Sequence, residues 1–363
     1  MLMDTLSDYL HWIGHYSFSE IPLGEVDQLL FSIFTYVRFE HLERRRYTLP
    51  EASEAMAGLS VDKEDKARAE DDLRVLSEAA RTRRYSSVEL ALWEEKFDKE
   101  LEVQFFGAAF VIPGYALVVA FRGTDSHLVS WKEDFNMAFT ETVPAQEAAL
   151  AFLEEAMEGI PCLDCYITGH SKGGNLSLYS YLKAPQALRE RVAAAYSNDG
   201  PGFNDQSLLD AIDSKVAVFL PQASVVGLLL AHPEEYTVVR SSSISLLQHD
   251  PHTWCLDGPG FERSEGLSKG SELFDRKLRD FLLSRSEEER EEFINSAYKL
   301  LDTLSLEEAK KNPVLLKDTI PEAMKLIKGQ SAEYRKAMLS FLFGLIGTFF
   351  PENKEEFQFL LKL

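Results

Sequence analysis

The chain has few cysteines, few basic residues and no long hydrophobic run. Three cysteines among 363 residues cannot build a disulfide framework, and their scarcity is typical of a reducing compartment. The 38 Lys and Arg residues are outnumbered by 59 Asp and Glu residues, which gives a net charge of −21. Because such a charge repels phosphate backbones and anionic bilayers, we expect no nucleic-acid partner.

The longest apolar stretch is AMLSFLFGLIGTFF at residues 337–350, which is shorter than the ~20 residues of a membrane-spanning helix. We expect a helix buried in the core or at a subunit contact there, with contact to a membrane surface as the alternative. The first residues, MLMDTLSDYLHW, lack the basic start of a secretory signal, so we expect a cytoplasmic protein with no integral membrane span. The sequence does not indicate an oligomeric state.

Cys162 and Cys165 form a C-x-x-C pair. A zinc site would need a second pair, and a thioredoxin-type pair would open a helix, whereas this one precedes a strand-like run. We therefore interpret the pair as incidental and expect neither a metal nor a cofactor.

The hydrophobic pattern divides the chain into three parts. Residues 1–100 have mostly helical periodicity, residues 101–262 alternate strand-like and helical runs, and residues 263–363 are again helical and charged. Strands interleaved with helices predict an α/β fold whose mostly parallel sheet is covered by helices on both faces. Since no Gly/Ser/Pro-rich linker separates the parts, we expect the helical ends to pack on the α/β core.

Individual elements of the α/β part follow from the same periodicities. Pro113 and Gly114 split two β-rich runs and predict a hairpin. Helices are expected at 145–160, 172–184 and 224–232, and strands at 165–169, 192–198, 215–221 and 236–242.

Ser171 lies in the G-x-S-x-G stretch Gly169-His170-Ser171-Lys172-Gly173. A strand-like run precedes this stretch and a helical run follows it, which is the setting of a nucleophile elbow. A side chain at Gly169 or Gly173 would collide with a neighbouring strand or helix in such a turn. Ser171 is therefore predicted to be a nucleophile, with a polar residue in an ordinary tight turn as the alternative.

A serine hydroxyl needs a base to remove its proton and an acid to orient that base. His249 and His252 lie in the polar segment LLQHDPHTW after the last strand-like run, and we choose His249 as the base with His252 in reserve. His232 ends the predicted helix 224–232 and is expected to cap it. Asp199 follows the strand-like run 192–198 and is the best acid, although it is nearly as well explained as an Asx-turn residue.

The oxyanion of an acyl-transfer reaction is commonly held by two backbone N–H groups. We expect one from Lys172, directly after Ser171, and the other from Thr124, which follows Gly123 at the end of a strand-like run. A lysine in the first turn of a helix is disfavoured by the helix dipole. Either Lys172 pairs with Glu133 or Asp134, or its ammonium group attracts an anionic substrate.

Four stretches together resemble an uncharacterised family of bacterial α/β-hydrolase-like proteins that stands close to the class 3 lipases. They are VVAFRGTDSHLVSWKEDFNMAF, ITGHSKGGNLSLY, SNDGPGF and LLQHDPHTW, and the resemblance extends over residues 18–261. It implies an α/β-hydrolase fold with Ser171 as nucleophile, His249 as base and Thr124 at the oxyanion position. Two features depart from class 3 lipases: their acid follows a strand that here ends at residues 220–222, and their residue after the nucleophile is usually apolar.

Together, the motifs and the resemblance predict a serine hydrolase that cleaves small-molecule or lipid carboxylic esters. Two alternatives stay open: a binding protein that keeps the fold without activity, and an acyltransferase or peptidase that uses the same residues.

Overall fold

The computed structural model describes residues 5–58, 66–98, 103–124, 142–161, 164–269, 271, 281, 284–304 and 316–339. Its helices are α1 (Leu6–Ile13), α2 (Glu25–Phe34), α3 (Leu49–Ala57), α4 (Lys66–Ala80), α5 (Pro144–Gly159), α6 (Lys172–Lys183), α7 (Gln186–Arg191), α8 (Gln206–Asp210), α9 (Glu287–Leu304) and α10 (Leu316–Ile327). Its strands are β1 (Tyr47–Thr48), β2 (Glu89–Asp98), β3 (Val103–Ile112), β4 (Ala116–Phe121), β5 (Asp164–His170), β6 (Val192–Asn198), β7 (Val216–Pro221), β8 (Thr237–Val239), β9 (Leu256–Asp257) and β10 (Gly260–Phe261).

The strands β1 to β8 form one sheet in which each strand pairs with its neighbours in the sequence. The pairs from β1 to β4 are antiparallel, and the pairs from β4 to β8 are parallel. The predicted hairpin is the β3–β4 connection, where Gly114 has a φ of 70°. Helices connect the parallel strands β4 to β6, as the alternating pattern predicted.

Helices cover both faces of the sheet. Because side chains alternate along a strand, Phe106 and Phe110 of β3 pack with the buried residues of α1 to α4, while Phe105 and Ala109 pack with α5 and α6. The predicted fold class, an α/β fold with a mostly parallel sheet covered by helices on both faces, is confirmed.

The N-terminal part is not purely helical, because β1 and β2 lie before residue 101 and belong to the sheet. β2 has the sequence ELALWEEKFD, whose charges hide its strand character. Among the described residues, β1 pairs with residues 89–90 and the rest of β2 lies at the edge of the sheet, where exposed charges are common.

The predicted helix at residues 224–232 was wrong. Only a short 3₁₀ turn forms, at Val226–Leu228, because two groups of this segment bind the carboxylate of Asp199. His232 therefore caps no helix, and its Nδ1 lies 3.1 Å from the carbonyl oxygen of Pro233.

In the described part of residues 263–363, α9 and α10 contact each other. The rings of Phe281, Phe293 and Tyr334 pack edge to face or tilted against one another. No helix in the described part of the chain is long and apolar enough to cross a membrane. The apolar stretch 337–350 lies outside the described residues from residue 340 onward.

Candidate active site

Ser171 lies between the end of β5 and the start of α6, at the carboxyl edge of the parallel strands. Its backbone has φ 59° and ψ −134°, a conformation that costs a non-glycine residue about 1–3 kcal/mol. The turn is held by two hydrogen bonds: Ser171 N–H donates to the Asn198 carbonyl at 2.9 Å, and Gly174 N–H donates to the Ser171 carbonyl at 2.8 Å. Ser171 itself is partly exposed.

The glycines of this turn leave no room for a side chain. A Cβ atom on Gly169 would overlap the backbone of Gly173, and one on Gly173 would overlap the carbonyl of Phe121 in β4. Backbone neighbours cannot move aside as a flexible side chain can, so both positions require glycine. The strand-turn-helix geometry predicted for the elbow is present.

His249 and Asp199 are hydrogen-bonded, with 2.6 Å between His249 Nδ1 and Asp199 Oδ2. Asp199 is fully buried, while His249 keeps 17% of its side chain exposed. Both residues are connected to the elbow through its neighbours. Asp199 follows Asn198, whose carbonyl accepts from Ser171 N–H, and the His249 carbonyl contacts the ring of His170. The structure thus brings the sequence-predicted base and acid together beside the elbow.

The carboxylate of Asp199 has two further donors. The Ser224 hydroxyl donates to Oδ1 at 2.5 Å and the Gly227 backbone N–H donates to the same atom at 3.1 Å. The Asp199 N–H donates to the Phe219 carbonyl of β7 at 2.8 Å. A buried carboxylate is stable only when it is hydrogen-bonded, and these contacts hold it ready to accept from an imidazole.

The loop before His249 is fixed through Gln248. Its Oε1 accepts from Ala223 N–H at 2.7 Å, its Nε2 donates to the Ser243 carbonyl at 2.9 Å, and its own carbonyl accepts from Trp254 Nε1 at 2.8 Å. Trp254 is fully buried. These contacts anchor the segment that carries the predicted base.

His170 and Tyr36 contact the site, although the sequence did not single them out. His170 is fully buried, with Nε2 2.7 Å from the His249 carbonyl oxygen and Nδ1 2.9 Å from the Tyr36 hydroxyl. Burial, followed by the nearby His249 and Arg68, holds the pKa of His170 well below its usual 6.5, so its ring is neutral. One signal was available: His170 is the polar residue within G-x-S-x-G that ends a buried strand.

The turn after β4 passes directly beside Ser171. A Cβ atom on Gly123 would lie 2.9 Å from Ser171 Cβ and 2.7 Å from the His170 carbonyl oxygen. Thr124, the predicted second oxyanion donor, follows this glycine and is partly exposed. The role of Thr124 as an oxyanion donor stays a prediction.

Lys172 begins α6 and is buried, with 1% of its surface exposed. Its predicted partners Glu133 and Asp134 lie outside the described residues. Charge recognition by Lys172 stays a prediction.

His252, the reserve base, lies against another carboxylate. Its Nε2 is 2.7 Å from Asp72 Oδ1 in α4. His252 is therefore engaged away from Asp199, and the geometry favours His249 as the base. In the part of the chain that the structure covers, no group of three or more His, Cys, Asp or Glu residues is placed to hold a metal ion.

Comparison with known proteins gives one family match. The model of the family described as Mbeg1-like matches residues 79–299, more than half of the chain. Comparison with curated protein sequences gives no match.

Several solved structures are similar in part. A mutant form of MDLA from Penicillium cyclopium is 13% identical, with a TM-score of 0.39, and the alignment covers 68% of this chain and 87% of that one. M37 lipase is 15% identical over 56% of this chain and 69% of that one, with a TM-score of 0.35. A triacylglycerol lipase from Penicillium expansum is 14% identical over 50% of this chain and 84% of that one, with a TM-score of 0.30. At these identities the likeness concerns the fold alone.

Proposed function

The chain belongs to the Mbeg1-like family, and we propose that it is a serine hydrolase that cleaves carboxylic esters through an acyl-enzyme. The observation that carries the proposal is the His249–Asp199 hydrogen bond of 2.6 Å beside a strained, partly exposed Ser171. A buried carboxylate, an imidazole and a serine on a nucleophile elbow are the groups that acyl transfer needs.

In the proposed reaction, the Ser171 hydroxyl attacks the ester carbonyl and His249 accepts its proton at Nε2. Asp199 accepts from Nδ1–H, which keeps the tautomer that leaves Nε2 free and stabilises the imidazolium that forms. The backbone N–H groups of Thr124 and Lys172 hold the oxyanion. His249 then protonates the leaving alcohol, and a water molecule, activated by the same imidazole, releases the acid and restores Ser171.

A fluorophosphonate probe tests this proposal directly, because it labels only a serine that a base activates. We expect labelling of Ser171 in the folded protein, loss of labelling in Ser171→Ala, and full labelling in a control, Ser214→Ala, which changes an exposed serine. Turnover of nitrophenyl esters by Ser171→Ala should fall by a factor on the order of 10⁵–10⁶. If the folded protein is not labelled, the hydrolase proposal fails and a binding role replaces it.

The substrate class is a second part of the proposal. We propose small-molecule or lipid esters as substrates, and a series of nitrophenyl esters from acetate to palmitate measures the preferred acyl length. Adding an alcohol or an amine as acceptor separates a hydrolase from an acyltransferase. Free acid as the main product supports hydrolysis, whereas a new ester or amide as the main product assigns a transferase.

A further inference from the structure

We infer that Tyr36 and His170 are positioning residues that join the base to the oxyanion turn; this inference rests on the proposed function. Tyr36 lies two residues after the end of α2, and its hydroxyl reaches across to the ring of His170 at 2.9 Å. The guanidinium of Arg68 in α4 stacks on the aromatic ring of Tyr36, with its Cζ 4.5 Å from the ring centre. The N-terminal helices thereby hold a side chain inside the proposed active site.

The direction of each hydrogen bond follows from the chemistry of the partners. A carbonyl oxygen only accepts, so the 2.7 Å contact with the His249 carbonyl places the proton of His170 on Nε2. Since the His170 ring is neutral, its Nδ1 has no proton and accepts from the Tyr36 hydroxyl. The hydrogen bonds therefore run in one direction: the Tyr36 hydroxyl donates to His170 Nδ1, and His170 Nε2–H donates to the His249 carbonyl.

The first consequence concerns the base. The main chain of His249 is held by the ring of His170, the residue before Ser171, while its imidazole is held by Asp199. The rings of His170 and His249 are 4.6 Å apart between centres and inclined by 35°. Two independent anchors, one on the backbone and one on the ring, thus fix His249 relative to Ser171.

The second consequence concerns the oxyanion turn. The Tyr36 hydroxyl lies so close to Gly123 that a Cβ atom at that position would overlap it. Burial raises the pKa of Tyr36 to about 12, so its hydroxyl keeps its proton at neutral pH and can donate it to His170. The same oxygen that donates its proton to His170 therefore also contacts the turn that leads to Thr124.

One hydroxyl group accordingly contacts both halves of the proposed machinery, the base through His170 and the oxyanion donors through Gly123. A displaced base or oxyanion turn slows the chemical step and leaves ground-state binding of a small ester largely unchanged. A purely structural residue would instead lower the amount of folded protein and leave kcat per folded molecule intact.

The test compares Tyr36→Phe with Tyr16→Phe, a control in an exposed tyrosine. We expect Tyr36→Phe to lower kcat about tenfold per folded molecule, with KM within about twofold, since one hydrogen bond is lost. Tyr16→Phe should leave both constants unchanged. Wild-type kcat in folded Tyr36→Phe would overturn the inference.

A second pair of variants tests the hydrogen bond between the His170 ring and the His249 carbonyl. His170→Gln can keep an Nε2 donor for the His249 carbonyl, whereas His170→Leu cannot. We expect the glutamine variant to retain about tenfold more kcat per folded molecule than the leucine variant. Equal kcat in the two variants counts against positioning.

Histidine ¹⁵N NMR separates failure of this inference from failure of the proposed function. The inference predicts the Nε2–H tautomer for His170 at neutral pH, and a shift of its Nδ1 resonance in Tyr36→Phe. These resonances report the hydrogen bonds even in a protein that hydrolyses no ester. A protonated His170 or an Nδ1–H tautomer at neutral pH would contradict the inference, whereas absent fluorophosphonate labelling contradicts only the proposed hydrolase.

Discussion

At the scale of single residues, Asp199 shows how the chain holds a buried carboxylate through hydrogen-bond donors. Its backbone has a φ of 50°, a left-handed conformation that Asp and Asn adopt more readily than most residues. The side chain accepts from Ser224, from the Gly227 backbone and from His249. The turn after β7, which carries no carboxylate of its own, thus contributes hydrogen-bond donors to an acid that follows β6.

We predict that Asp199→Asn folds normally and loses most of its activity. Asparagine has the same size and tolerates the positive φ, but its amide would present a donor or a neutral acceptor to His249 Nδ1. The imidazole would then lose its preferred tautomer and the charge that stabilises the imidazolium, and kcat should fall about 10⁴-fold. Ester hydrolysis and circular dichroism measure the two effects.

The control for this variant is Asp257→Asn, which removes one charge from an exposed position in β9. Its kcat should equal that of the unmodified protein. Should Asp199→Asn keep kcat within tenfold, Asp199 would be a turn-forming residue, and another carboxylate would have to orient the base.

The sequence predicts those site residues that a motif or the order along the chain defines. Ser171 follows from its glycines, and His249 and Asp199 from their turns after strands; their catalytic roles stay predictions. Tyr36 was missed because it lies 134 residues from His170, and pairing at that distance follows from packing alone. His170 was missed because the residue before the serine has no required identity in a G-x-S-x-G motif.

At the scale of secondary structure, the elbow depends on close contact between backbones. β4, β5 and the first turn of α6 meet where Gly169 and Gly173 leave no space for a methyl group. The strain at Ser171 persists because the hydrogen bonds and the packing of these elements outweigh it. The elbow is therefore a property of three elements together.

We predict that Gly169→Ala lowers the free energy of unfolding by about 1–3 kcal/mol or more, because its methyl group would force α6 away from β5. Gly159→Ala is the matched control: it lies at the end of α5 with nothing within 4 Å of an added Cβ. That variant should be neutral or slightly stabilised. Urea unfolding measures both, and equal stability of the two variants would show that the elbow can relax.

The helices and strands that the sequence pattern predicts correctly are those with one or both faces buried in the core. β6 coincides with the strand-like run 192–198, and α5 and α6 begin within one residue of their predicted starts. The pattern failed at residues 224–232, where apolar residues look helical but Ser224 and Gly227 bind a distant carboxylate. It also failed at β2, where solvent at the sheet edge allows charges in a strand.

At the scale of the whole molecule, the N-terminal helices share a hydrophobic core with the sheet. Buried residues of α1 to α4 pack in one cluster with β3, β4 and the late residues Trp254 and Phe261. Asp27 of α2 forms a fully buried ion pair with Arg84, 2.6 Å apart. Asp72 of α4 reaches His252, 180 residues later, in the loop that also carries His249.

The His252–Asp72 contact makes part of the stability depend on pH. Burial opposes the charged imidazole, but the hydrogen bond and the charge of Asp72 outweigh it and raise the pKa of His252 above its usual 6.5. A folded-state pKa above the unfolded value means that the contact stabilises fully below the unfolded pKa. This stabilisation is lost as the pH rises through the folded pKa of His252.

We therefore predict that His252→Gln loses about 1.5–3 kcal/mol of unfolding free energy at about pH 5.5 and clearly less at about pH 9, where the imidazole of the unmodified protein is neutral. Urea unfolding at both pH values measures the difference. Asp72→Asn should give the same pH dependence, because it removes the partner charge. His11→Gln, in an exposed histidine of α1, should show no such trend. If His252→Gln instead loses more unfolding free energy at about pH 9 than at about pH 5.5, the contact stabilises the neutral ring. A contact with the protonated ring would stabilise the fold more at low pH.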